Sequence, residues 1–384
     1  MNVALNISTR WYRVATSMFF FIAGLTFASW ASRIPDIKLQ LRMSDGALGA
    51  VLFALPVGQM ISIPISAALV ARFGSKSVVT IGALMYPLTL VMLALSNSVF
   101  LLALSLFVFG LWANLLNIAM NTQAVSVESR YGRSIMASFH GVWSIAGFSG
   151  ALLATMLVSM GFSILSHFSI VIVLTGITVF VANRYTVSTI TKAADNQKRK
   201  LFSMPEKRIM ILGLIAFSCM VCEGAMADWS GVYYQKVIEA PAALTTIGYV
   251  AFMGTMAIGR FVGDWLVTRF GVVRILQLSG TMVASGLLLA VAVPQIVTAT
   301  IGFLLVGLGV SSVVPVVFGL AGRSANKSAS GAIAAVSTIG FLGFLAGPPI
   351  IGFIAEATNL RLSFVVIALL GFGTTLLAGK TKNM

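Results

Sequence analysis

Apolar stretches of about twenty residues, separated by short polar or Gly/Pro connectors, recur along the whole chain, and no other feature restricts its fold as strongly. The breaks give twelve spans, approximately 14–32, 46–70, 77–95, 99–123, 135–158, 164–184, 208–232, 242–267, 273–292, 296–320, 331–355 and 360–379. Inside a bilayer every backbone N–H and C=O must be satisfied without water, which leaves helices or a closed barrel. The runs lack the short alternating segments of a barrel. The expected fold is therefore an all-α integral membrane protein with twelve transmembrane helices. Only 9% of the 384 residues are charged while 58% are hydrophobic, too little polar surface to enclose so much apolar surface in water.

That composition also narrows the function. The formal charge of +15 is spread through the connectors, so the bilayer is the expected partner and nucleic acid is not. The sequence holds no phosphate-binding G-x-x-x-x-G-K-[ST] loop, and no polar stretch is long enough to form a domain that could drive an ATP-powered pump. No nucleophile, base and orienting group gather as an enzyme would need, and no cofactor is implied. Cys219 and Cys222 stand one helical turn apart without a second pair or a nearby histidine, so they read as packing residues and not as a metal site.

Arg10 and Arg13 precede a first apolar run too long for a signal-peptide core, so Val14–Ala31 is expected to remain as a span. With the N-terminus in the cytoplasm, nearly all connector arginines and lysines fall inside. Arg33, Lys38, Arg42, Lys236 and Arg361 are the ones outside. This bias predicts a multi-pass protein with both termini cytoplasmic. The one long polar connector carries Lys198, Arg199 and Lys200 and reads as a linker held at the anionic inner leaflet. It divides the chain into six-span bundles at 1–185 and 208–384, with the linker at 186–207.

The two halves repeat. Ala71-Arg72-Phe73-Gly74 recurs as Thr268-Arg269-Phe270-Gly271, Gly110 matches Gly307 and Gly150 matches Gly347, each 197 residues apart. Two parallel six-span repeats with a cavity between them at mid-membrane follow the logic of alternating-access transport.

On these residues the chain resembles the major facilitator superfamily along essentially its whole length. The superfamily's glycine-acid-basic loop is best preserved as Gly259-Arg260-x-x-Gly263-Asp264 followed by Arg269. The first copy keeps Arg72 but has Ala67 where the repeat has Asp264. The resemblance implies that Arg72, Arg260, Asp264 and Arg269 latch the cytoplasmic side, with Asp264 facing Arg260 or the start of span five near Ser134. Within the superfamily, W-A-S-R-I-P at Trp30–Pro35, E-G-A-M-A-D-W at Glu223–Trp229 and G-P-P-I-I-G at Gly347–Gly352 resemble a bacterial branch labelled fucose-permease-like. That branch implies a bacterial cytoplasmic (inner) membrane, a monomer, and proton-coupled uptake of sugars. Span four differs from the fucose permeases in lacking an acid, and span five lacks the proline of drug and proton antiporters.

Glu223 and Asp228 lie in one apolar run, where an ionised acid costs about 2.5–3.5 kcal/mol unless paired, protonated or wet. Their five-residue spacing puts them on different helix faces and gives them separate jobs. Glu223 is the candidate proton-coupling acid, with His140 as a second proton carrier. Asp228 sits beside Trp229, Tyr233 and Tyr234, a grouping expected of an interfacial aromatic belt. Aligning Trp30 with Trp229 pairs Asp228 with Arg33 as an outer gate. Asn114, Asn117 and Asn121 share one face of span four, and with Trp143, Gln59, Ser311 and Ser312 they are candidates for binding a small polar solute. Gly340, Gly343, Gly347 and Gly352 with Pro348 and Pro349 should let span eleven pack closely and bend.

The expected activity is secondary active transport by alternating access, coupling protons to import of a solute such as a sugar or sugar derivative. The alternatives are a proton-driven efflux antiporter of drugs or metabolites and a membrane sensor that transports nothing.

Overall fold

A computed structural model of the chain describes residues 9–131, 135–188, 206–323 and 329–381, without the side chains of Asp264, Ala329 and Ser330. Ser134, the basic cluster Lys198–Lys200 and most of the linker 186–207 lie outside the described residues. The helices are α1 (Thr9–Gln40), α2 (Asp45–Leu52), α3 (Ala54–Ala94), α4 (Val99–Tyr131), α5 (Met136–Ser159), α6 (Ile164–Asn183), α7 (Lys207–Lys236), α8 (Ile247–Phe270), α9 (Val272–Ala292), α10 (Ile296–Ser311), α11 (Val313–Arg323), α12 (Ala329–Ala357) and α13 (Leu360–Gly379).

Among the described residues, eleven stretches are long and apolar enough to cross a membrane, and one of them, Asp45–Ala94, runs for 50 residues. At 1.5 Å per residue it is more than twice the roughly 30 Å hydrocarbon thickness. It is folded at Gly74, whose φ of 78° and ψ of 154° are not helical. Two crossings therefore share that stretch, and the total is the twelve expected. Gly271, at the matching place between α8 and α9, has φ 82° and ψ 153°.

The repeat extends to packing. A Cβ on Gly110 would collide with the carbonyl oxygen of Leu55, and one on Gly307 with that of Phe252, again 197 residues on. Gly58 lies against the carbonyl of Phe107, and its counterpart Thr255 donates instead to the carbonyl of Leu304 at 2.8 Å. Each half thus crosses one pair of helices at backbone contact, through small residues that let the helices approach.

The described chain groups into two compact units: Met1–Trp30, Ala54–Leu153 and Gly161–Lys198 form one, and Ala31–Phe53, Ala154–Met160 and Arg199–Met384 the other. The first unit has an aromatic core in which Phe109 meets Tyr86 at 4.6 Å and Trp30 at 6.3 Å between ring centroids. In the second unit Tyr233 stacks on Phe364 at 4.5 Å. Trp229, Tyr233 and Tyr234 are fully buried here and form no interfacial belt. Burial of the tyrosines is affordable because Tyr233 donates to the carbonyl of Ala290 at 2.9 Å and Tyr234 bonds Thr300 at 2.6 Å.

Candidate functional site

In the second unit, α7 carries Glu223 and Asp228 and packs against α8. The Arg260 guanidinium of α8 lies 3.4 Å from the Glu223 carboxylate, and both side chains keep partial exposure. The loop motif led to Arg260 being expected in a cytoplasmic latch. It sits ten residues before the end of α8, a helix running antiparallel to α7, which sets it level with the acid at mid-membrane. Asp228 is half-buried and takes part in no ion pair or hydrogen bond among the described residues. The Tyr249 hydroxyl of α8 is buried without a hydrogen-bond partner among the described residues.

The expected Arg33–Asp228 gate is not what forms. Arg33 instead contacts Asp36 one turn further along α1, at 2.8 Å. A different network joins helix ends within the second unit. Asp45, only 1% exposed at the start of α2, accepts from Lys38 and from Lys236 of α7, each at 2.6 Å. Next to it, Gly46 N–H donates to Glu356 of α12 at 3.1 Å. The backbones of α2 and α12 touch at Gly49 and Gly352, where a Cβ on Gly49 would stand 2.7 Å from the Pro348 carbonyl oxygen. Gly231 of α7 meets the ring of Pro35 in the same way, at 2.7 Å. Asp45, Lys38, Lys236 and Glu356 were not singled out in the sequence. The available signal was Ser44-Asp45, a capping serine followed by an acid in a first helical turn.

The first unit holds the other candidates. Asn114 of α4 is half-buried, with its amide nitrogen lacking a partner, while Asn117 accepts from Asn121 at 3.0 Å. On α5, His140 stands edge-on to Phe20 at 5.3 Å and Trp143 tilts against Phe27 at 6.3 Å. Gln59 of α3 is half-buried, and its backbone passes close to Gly110. Arg72 lies over the ring of Phe73 at 5.2 Å and Arg269 over Phe270 at 6.0 Å, both exposed. The side chain of Asp264 lies outside the described residues. Ser311 and Ser312, expected to face solute, are buried at the α10–α11 break and pack on Gly259 and Gly263 of α8.

A sequence profile of the Major Facilitator Superfamily matches residues 15–343 and 242–381. An uncharacterised MFS-type transporter of Yersinia pestis is 34% identical over 358 residues, covering 93% of this chain and 92% of that protein. Among solved structures, a mutant of the nucleoside transporter NupG superposes with a TM-score of 0.78 at 15% identity, covering 97% of this chain and 100% of that one. The E. coli fucose:proton symporter FucP superposes with a TM-score of 0.61 at 16% identity, covering 97% and 98%. At such identities these two likenesses establish the fold.

Proposed function

The chain belongs to the major facilitator superfamily of membrane transporters, and from that premise we propose that it is a proton-coupled symporter importing a small polar solute such as a sugar or sugar derivative. The observation that carries this reading is the Glu223–Arg260 pair, an acid and a base facing each other at 3.4 Å inside membrane-crossing helices. An acid held there by one partner at long range, and still partly wet, can exchange its proton when the partner moves. Protonating Glu223 breaks its pair with Arg260, and losing the proton restores it. Two electrostatic arrangements of one helix pair then follow the proton gradient. His140 on α5 is the second proton carrier in this reading.

The solute class rests on the amides of α4. Asn114, with an unsatisfied buried nitrogen, and Asn117 offer donors and acceptors suited to hydroxyls, with Trp143 as an apolar surface for a sugar ring. The same fold serves a nucleoside transporter and a fucose:proton symporter. The bacterial inner membrane and cytoplasmic termini fit the distribution of basic residues.

The test is proton flux into vesicles of purified protein holding a pH-sensitive dye, with sugars and polyols added outside. Solute-dependent acidification that Glu223→Gln abolishes is expected. Solute uptake with no proton movement, or coupling that survives Glu223→Gln, overturns the assignment.

A further inference from the structure

The membrane-buried charges of the second unit do not balance. Of the acids with described side chains, Glu223 and Asp228 lie well inside an apolar run, and Arg260 is the base paired with Glu223. With all three ionised the cluster carries one net negative charge, and that charge belongs to Asp228. Three further cations of the unit are engaged elsewhere: Lys236 with Asp45, Arg33 with Asp36, and Arg361 with the Val291 carbonyl. A carboxylate without a counter-ion in such surroundings is costly, and its partial exposure leaves it open to something that enters.

Building on the transport reading above, we infer that the solute carries one positively charged nitrogen and that Asp228 is its counter-ion. A proton alone would neutralise Asp228 and leave unanswered the buried Tyr249 hydroxyl on the neighbouring helix α8, which has no partner among the described residues. An ammonium group brings three donors, which the two Asp228 oxygens can accept. The ring of Tyr249, stacked with Phe252 at 6.4 Å, adds an aromatic face of the kind that attracts a desolvated cation. The solute class becomes an amine-bearing polar molecule, such as an amino sugar or amino polyol. Its charge goes to Asp228 on α7.

The experiment titrates purified protein with matched pairs, glucosamine against glucose and galactosamine against galactose, following tryptophan fluorescence and thermal midpoint. The amine of a pair should bind tighter by on the order of tenfold, the scale of one charged hydrogen-bond contact. Asp228→Asn should abolish the preference while Asp228→Glu restores it, which separates loss of charge from loss of fold. Three outcomes overturn the inference: equal binding within each pair, a preference that persists in Asp228→Asn, or no amine bound at all. Neutral sugars binding with uptake of one proton, lost in Asp228→Asn, also overturns it. That last result leaves the symport reading standing, because it assigns the missing positive charge to the proton.

Discussion

Glu223 and Asp228 share a helix yet meet opposite surroundings, since one faces a guanidinium and the other no protein cation among the described residues. An acid inside an apolar run announces itself, because no inexpensive reason exists for placing one there. Its partner was harder to read. Arg260 belongs to a loop-like motif in the sequence, and only the antiparallel register of α7 and α8 brings it level with Glu223. Removing one member of a buried pair costs more than removing both, because the survivor keeps its desolvation penalty. Arg260→Ala should therefore lower stability by about 1–3 kcal/mol, less than a dry pair would lose because both side chains are partly wet. The double change Glu223→Gln with Arg260→Met should recover most of that loss. Thermal midpoints in detergent decide the matter: if Arg260→Ala melts with the wild type, the 3.4 Å contact contributes nothing to the fold.

At the scale of helices, two kinds of glycine do different work and should fail differently. Gly271 has open space where a Cβ would go, so its constraint is its φ of 82° alone. Gly271→Ala should cost about 1–3 kcal/mol from backbone conformation, wherever the helices stand. Gly49 is limited by space, since a Cβ there would press on the backbone of Pro348 and Gly352 in α12, atoms that cannot turn aside as a side chain could. Gly49→Ala should reduce transport more than it reduces the thermal midpoint, because the strain is confined to the contact between α2 and α12. Equal losses of stability and transport in both variants would refute the distinction. The twelve spans and their repeat were legible, because apolar run length and turn glycines are local properties. The burial of Tyr233 and Tyr234 was not, since it depends on carbonyls of Ala290 and Ile296 that the sequence places about sixty residues away.

For the whole molecule, the network around Asp45 joins the first half of the chain to the second, with Lys38 seven residues away and Lys236 another 191 from the acid. Only the tertiary fold brings such residues together, which is why Arg33 and Asp228 looked like the better gate from the sequence. Alternating access requires the contacts that close one side to be reversible, and charge pairs rimmed by glycine contacts meet that need better than a continuous apolar seam. The two lysines should not contribute equally. Lys236 is 54% exposed and therefore screened, whereas Lys38 is 11% exposed and should hold Asp45 more strongly. The measurement is labelling of a cysteine at Leu48, a residue 1% exposed beside the network, by a membrane-impermeant maleimide added outside. Asp45→Asn should raise the labelling rate several-fold, Lys38→Ala nearly as much, and Lys236→Ala least. High salt should narrow the gap between Lys236→Ala and the wild type while leaving the Asp45→Asn effect in place, because a buried carboxylate is screened little. If Asp45→Asn labels no faster than wild type, these helix ends are held by the Gly49–Gly352 and Gly231–Pro35 contacts, and the charges only decorate them.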